Sequence, residues 1–417
     1  MGKSPGLVSS DMDPPHRRGS PKHEQQPALA QMPAADTMDG MIHIAFAFNF
    51  NIQRSVIEVG EERPIIDRGY KPLLRLLLAH GVKADLFLSG FSTMTLRRME
   101  PGVLATIQDN LGQSFELGSY TYTHPIPQLL LPQEMARQIR RGLQIDREAF
   151  GIDPQGFLPS EMAYSYDMVK VLEREGLKWV VVLSSLLEKA AAQRAGGRRG
   201  EIHTSCTAVS REVRMTVVPA VYQLPELPAR FFKVMMKGQL PVGEVIEGVR
   251  RFADEHPGAL LLFKRDAETI FIDAYNSGFG GTEAVFREFL SGLAALSEAR
   301  FITIGEYLRD HPPRREAVVE DFLGNTKIET FTEGDAQPLW DLTRRVREKI
   351  LNAEQTLPGS PEVEQAWEHL LLSHNSDGRI GYWHSQWNPG EHKVAASRRA
   401  FVKSNLEQAL KILDRLS

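Results

Sequence analysis

One cysteine, Cys206, serves the whole sequence of 417 residues. An internal disulfide framework is thereby excluded, and so is any cysteine-rich metal site. Charge of one sign is scarce as well. The 49 Lys and Arg stand against 53 Asp and Glu, a formal net charge of -4, and such a balance gives no field that would draw in nucleic acid or an anionic membrane. Residues 1–40 hold no apolar run long enough for the core of a signal peptide or for a membrane helix. Their clusters, such as Asp13-Pro14-Pro15-His16-Arg17-Arg18 and Gln25-Gln26-Pro27, predict a disordered tail. With so little cysteine, a reducing cytoplasm is the expected compartment. No repeat of fixed period is evident, so a solenoid or propeller is not expected.

What the sequence does have is apolar residues, 42% of the total, in a regular alternation. Short strand-like runs at 42–48, 83–89, 114–118, 156–159, 178–183, 214–218, 259–264 and 300–304 alternate with amphipathic helical stretches. Tyr70-Lys71-Pro72-Leu73-Leu74 opens one such helix with a first-turn proline. Seven or eight units of this kind predict an α/β fold, a (β/α)7-type parallel barrel over residues 41–311. An Ala-, Gly- and Arg-rich stretch interrupts the alternation and predicts a mobile insertion near 188–212. After about residue 310 the strand-like runs stop, and helical periods at 339–351, 363–374 and 395–416 predict a C-terminal helical domain over 312–417.

In a parallel barrel the reacting groups gather on loops after the carboxyl ends of the strands. Two acids pass that filter: Glu161, in Leu158-Pro159-Ser160-Glu161-Met162-Ala163, and Asp266, in Lys264-Arg265-Asp266-Ala267-Glu268. Two carboxylates on different strand ends, brought together by closure of the sheet, are the equipment for glycosidic-bond cleavage through an oxocarbenium-like transition state. Taken as residue types alone they have plainer uses. Glu161 could be an acid at a helix N-terminus, and Asp266 could pair with Lys264 or Arg265.

Several segments resemble glycoside hydrolase family 57, whose members act on α-glucans with retention, within the glycoside hydrolase/deacetylase barrel superfamily. Tyr70-Lys71-Pro72-Leu73-Leu74 is similar to the helix after that family's first strand, and Phe87-Leu88-Ser89-Gly90 to its Ser-Gly turn after the second. Asp153-Pro154-Gln155-Gly156-Phe157-Leu158-Pro159-Ser160-Glu161 resembles the motif that holds its nucleophile, and Asp266-Ala267-Glu268 its Asp-X-Glu motif. The resemblance implies Glu161 as nucleophile, Asp266 as general acid/base and Glu268 in support. It further implies an α-glucan or oligosaccharide substrate and no cofactor. Ser373-His374-Asn375-Ser376-Asp377-Gly378 and Gly381-Tyr382-Trp383-His384 resemble a helical-domain segment reaching toward the sugar. Trp383 and His384 are therefore expected at the substrate, although Tyr382, Trp383, Trp387, His384 and His392 would equally suit a seam between the helices and the barrel.

Two departures bear on the chemistry. Where the family has His-Gln-Pro, often within His-Asn-His-Gln-Pro, this chain has Asn49-Phe50-Asn51-Ile52-Gln53. Asn49 and Asn51 can hydrogen-bond a sugar hydroxyl but carry neither proton nor charge. His124, in Thr121-Tyr122-Thr123-His124-Pro125, takes the place of the second motif's polar residue. The same segment resembles the metal motif of polysaccharide deacetylases, yet it offers Tyr120 for the first histidine and Asn49 for the acid. No metal is expected, since a single imidazole cannot hold a divalent ion tightly. The alternative readings are a carbohydrate-binding or regulatory homologue that has lost catalysis and, behind it, a polysaccharide deacetylase-like enzyme.

Overall fold

The computed structural model describes residues 41–192, 205–220, 228–272, 281–324, 327–380, 383–385, 388–392 and 394–416. At 191–192, 228–231, 383–385 and 388–392 it describes the backbone alone. Nine successive buried residues, Ile42–Phe50, make the first strand, β1. Alternation sorts their side chains: Ile44, Phe46, Phe48 and Phe50 join an outer core beneath the helices, whereas Ala45 and Ala47 face inward against Phe87, Leu158 and Trp179. A run that is apolar on both faces is what a parallel strand covered on both sides requires.

The strands that follow are β2 (Ala84–Leu88), β3 (Phe115–Ser119), β4 (Gly156–Phe157), β5 (Trp179–Leu183), β6 (Cys206–Ser210), β7 (Val213–Ala220), β8 (Leu260–Asp266), β9 (Ala299–Phe301) and β10 (Glu316–Val318). Their hydrogen-bonded order is β10-β6-β7-β5-β4-β3-β2-β1-β8, with β9 also on β1. All pairings along this path are parallel except the β6–β7 hairpin. Seven strands, β7-β5-β4-β3-β2-β1-β8, thus form one parallel sheet, and its ends curl until β7 and β8 come within 8 Å of each other, Cα to Cα. Among the described residues no ladder joins β7 to β8 across that seam.

The interior is filled by pairing large side chains with none. A Cβ on Gly118 would lie 2.2 Å from the Phe87 ring, and one on Gly156 would lie 2.1 Å from the Trp179 ring. With the floor so plugged, only the strand ends can form a site.

Helices Gln337–Thr356, Pro361–Ser373 and Ala396–Leu413 pack on one another through Leu339, Val346, Ile350, Trp367, Leu370, Val402 and Leu406. They also grip the barrel. Arg347 pairs with buried Glu134 at 2.6 and 2.7 Å, and Arg137 lies 4.5 Å over the Trp367 ring while binding Glu354 and Glu364. Both partners stand on helix Pro132–Phe150. Two expectations change. A helix, Ser184–Ala192, and strand β6 occupy much of the stretch read as a mobile insertion, with 193–204 outside the described residues. Strands do not stop at residue 310: β10 pairs with β6, and Trp383–Ser385 and Asn388–His392 form a small hairpin. These runs are only three to five residues long, too short for an alternation to stand out. No helix among the described residues is long and apolar enough to cross a membrane.

Candidate active site

Polar side chains collect where β1, β3, β4 and β8 end. On β1, Asn49 is the last inward residue; it is 2% exposed, and its Oδ1 has no hydrogen-bond partner among the described residues. Beyond it Asn51 ties two walls together. Its backbone N donates to Glu268 Oε2 at 3.2 Å, and its Nδ2 donates to Asp377 Oδ2 at 2.5 Å.

After β3 the chain turns sharply, with Thr121 at φ 65° and His124 at φ 59°. Such left-handed conformations are uncommon outside glycine and persist only where surroundings enforce them. Here helix Pro132–Phe150 does so: Gln138 receives the Thr123 N–H at 3.1 Å and donates to Thr123 Oγ1 at 2.9 Å. His124 Nε2 meets the Tyr120 hydroxyl at 2.5 Å, and its Nδ1 lies 2.9 Å from Ser376 Oγ and 3.5 Å from Asp377 Oδ2.

After β4 a single turn, Ser160–Met162, carries Glu161 at φ 53° and Met162 at φ 57°. Of the five non-glycine residues with positive φ among those described, four therefore lie in the β3 and β4 loops. The turn is locked from behind. Tyr164 and Phe322 exchange hydrogen bonds of 2.7 and 2.8 Å, and Gly324, at φ 65°, sits so close that a Cβ would lie 2.0 Å from the Glu161 carbonyl oxygen. Glu161 is thus not the N-terminal acid of a helix; its conformation aims it into the mouth. No donor among the described residues hydrogen-bonds its carboxyl. Burial raises its pKa, His124 works against that shift, and the nearby Asp377 and Asp266 carboxylates add to it.

The β8 end is built on alternation again: Leu260 and Leu262 point inward, so Lys264 and Asp266 do too, while Leu261 and Phe263 point outward with Arg265. Asp266 has a cation on each oxygen, Lys264 Nζ at 3.0 Å from Oδ1 and Arg54 Nη1 at 3.4 Å from Oδ2. Burial opposes ionisation, yet Lys264, Arg54 and Arg265 together hold this carboxyl well below the usual range. Glu268 is the opposite case. Its side chain is fully buried, it lies 3.5 Å from the same Arg54 nitrogen, and burial with the Asp266 charge pushes it up to about 8. The two acids thus share one guanidinium and part in ionisation.

A stability test follows. The folded chain keeps a proton on Glu268 up to about pH 8, whereas an unfolded chain releases it near about 4.3. Stability is therefore lost as pH rises through that window. Glu268→Gln removes the dependence, so its melting temperature relative to wild type should climb between pH 5 and 9 in calorimetric scans; parallel curves would contradict the burial argument.

The structure brings Asn49, Asn51, His124, Glu161, Asp266 and Glu268 to the same end of the barrel. Trp383 and His384 stand on the hairpin before the last helix, where only the backbone is described, and Tyr382 and Trp387 lie outside the described residues. Four members of the cluster were not read from sequence as site residues: Arg54, Tyr120, Lys264 and Asp377. Asp377 had a pointer in the segment resembling one that reaches toward the sugar, Tyr120 in standing at the first histidine of the deacetylase motif, and Lys264 as a candidate partner of Asp266. Arg54 could be found only once the fold set the β1 loop against β8.

A parallel barrel whose carboxylates line the carboxyl ends of its strands is the class of architecture defined here. The chain belongs to glycosyl hydrolase family 57, which it matches over residues 31–320. Among solved structures it is similar to the 4-α-glucanotransferase of Thermococcus litoralis, with 16% identity and a TM-score of 0.68 over 89% of this chain and 60% of that one. An α-amylase of Thermotoga maritima gives 10% identity and a TM-score of 0.65, over 90% of this chain and 93% of that one. A branching enzyme of Pyrococcus horikoshii gives 12% and 0.64, over 89% and 87%. At these identities the likeness establishes the fold, and the chain spans only 60% of the glucanotransferase's length. No curated protein sequence matches the chain.

Proposed function

We propose that the chain is a retaining glycoside hydrolase or glucanotransferase acting on α-glucan chains or oligosaccharides. The observation that carries the reading is the left-handed turn at Glu161, held by Gly324 and the Tyr164–Phe322 bridge. Strain of this kind is maintained where a side chain must be aimed. Three structures of the same fold, a 4-α-glucanotransferase, an α-amylase and a branching enzyme, support the substrate class.

In this reading Glu161 attacks the anomeric carbon as the bond to the leaving oxygen breaks, and Asp266 gives that oxygen its proton. The glycosyl ester is then opened by water or by an acceptor hydroxyl that returns its proton to Asp266. Asn51 and His124, tied to Asp377, line the approach, and the fully buried Glu268 acts behind Asp266 rather than on sugar. The carboxyls of Glu161 and Asp266 should close to about 5–5.5 Å around bound sugar.

The cations on both oxygens of Asp266 favour a second reading, a binder without turnover. Incubation with maltooligosaccharides distinguishes the two. Redistributed chain lengths indicate transfer and shortening alone indicates hydrolysis, while unchanged lengths with measurable affinity would leave the binder.

A further inference from the structure

Both ring nitrogens of His124 are taken, Nε2 by the Tyr120 hydroxyl at 2.5 Å and Nδ1 by Ser376 Oγ at 2.9 Å and Asn51 Nδ2 at 3.3 Å. Sugar can reach neither without displacing a partner. The direction of these bonds follows from the network: Asn51 Oδ1 accepts the Gln53 N–H and its Nδ2 donates to Asp377 Oδ2, which fixes the amide, and an NH2 group only donates. Nδ1 is therefore the accepting nitrogen of the neutral ring. Asp377 Oδ2, 3.5 Å from Nδ1, is already served by Asn51, so the imidazole hydrogen stands on Nε2 and is given to Tyr120 Oη. A phenol that accepts from His124 still has its own hydrogen to give. The sheet sets where that hydroxyl stands: β3 and β4 are in register at Ser119 and Phe157, so Tyr120 lies beside Leu158, and it joins the inner cluster with Leu158 and Met162, residues on either side of Glu161. Burial and then the charges of Asp266, Glu268, Glu161 and Asp377 hold the phenol well above its usual range. It keeps its hydrogen, and all four acids of the mouth act on it.

We infer that Tyr120 is a third catalytic group, its hydroxyl donating a hydrogen bond to the glycosidic oxygen as that oxygen departs beside Asp266, with His124 as its positioning residue. This rests on the glycosidase reading and adds a residue to it. Negative charge grows on the oxygen as its bond to the anomeric carbon breaks and Glu161 forms its own, and a donor already aimed at that charge stabilises it in a site closed to water. Asp266 supplies the proton; none leaves Tyr120. When water or an acceptor hydroxyl takes the vacated place, the same phenol holds its oxygen for attack.

The test compares two substrates on the full chain: maltotetraose, whose departing sugar oxygen needs a donor, and 2,4-dinitrophenyl α-maltotrioside, whose departing phenolate needs none. Tyr120→Phe should lower kcat/KM for maltotetraose by about a hundredfold, the scale for one aimed donor, and leave the dinitrophenyl substrate within about threefold of wild type. The ratio of the two rates in one preparation does not depend on how much of it is folded. His124→Gln leaves the phenol in place but loosens it, and should move the ratio in the same direction by a smaller factor. Should Tyr120→Phe not fold, the ratio in His124→Gln decides. Both substrates slowed alike, or neither slowed, overturns the inference and leaves the glycosidase reading standing. If the wild-type chain cleaves neither substrate, that reading falls and takes the inference with it.

Discussion

Glu161→Gln should lower turnover of the best substrate by about three orders of magnitude or more, the usual scale for loss of a covalent nucleophile. The fold should not suffer. Among the described residues the carboxyl accepts no hydrogen bond, and its pKa is raised first by burial, so an uncharged amide of the same shape removes a buried charge and leaves no donor unpaired. The melting temperature should accordingly stay level or rise slightly, more so as pH rises and the wild-type carboxyl ionises. Kinetics and calorimetry on one preparation decide the matter. Activity above about a tenth of wild type would remove Glu161 from the role of nucleophile. A loss matched by a fall in melting temperature would make it a structural residue.

Gly324→Ala should also cost activity, though less, without altering any side chain in the mouth. The added methyl meets the Glu161 carbonyl oxygen at 2.0 Å and the Met162 carbonyl at 2.9 Å, at a residue with φ of 65°. Both are backbone atoms, so no flexible side chain can swing aside. Either the 160–162 turn retreats or the 322–324 segment lifts. A left-handed alanine costs about 1–2 kcal/mol by itself, and the displacement brings the total to about 2–4 kcal/mol. Moving the nucleophile by about 1 Å is worth roughly a hundredfold in rate. We expect kcat to fall by about that factor with KM nearly unchanged. Wild-type kcat in a stably folded Gly324→Ala variant would show that the turn does not depend on this contact.

The barrel was legible because its strands follow a strong rule. Runs such as 42–48 and 178–183 are apolar without alternation, which in a chain of alternating helices signals a sheet covered on both faces. β6 was missed because its burial alternates with β7 in a hairpin, among residues whose composition resembles a loop. The site divided along another line. Glu161, Asp266 and Glu268 lie in local motifs, each on one loop, and a motif is a one-dimensional object. Arg54 has no local pattern at all. Its place beside Asp266 exists only because β1 and β8 are neighbours in register, Asn49 opposite Asp266. The left-handed turn at residues 161–162 was equally hidden, since neither Glu nor Met advertises positive φ, and the glycine that permits it stands at 324.

The β1 loop that presents Asn51 and Arg54 is fastened on one side by the barrel and on the other by residues from the far end of the chain. Asp377 accepts the Ser55 N–H at 3.0 Å, the Ala395 N–H reaches Ser55 O at 2.7 Å, and buried Arg398 binds Ile57 O and Glu62 at 2.8 Å each. Contacts across more than 300 residues of sequence carry a large loop-closure cost and form late. The barrel strands can pair while the chain is still being made, but the outer half of this loop, residues 55–62, lacks these C-terminal partners until synthesis has passed Arg398. Folding should therefore run in two kinetic stages, a fast one that buries Trp179 in the barrel and a slower one that docks Trp340 and Trp367. Activity returns only with the second, so the protein spends the interval as a finished barrel with an unassembled mouth.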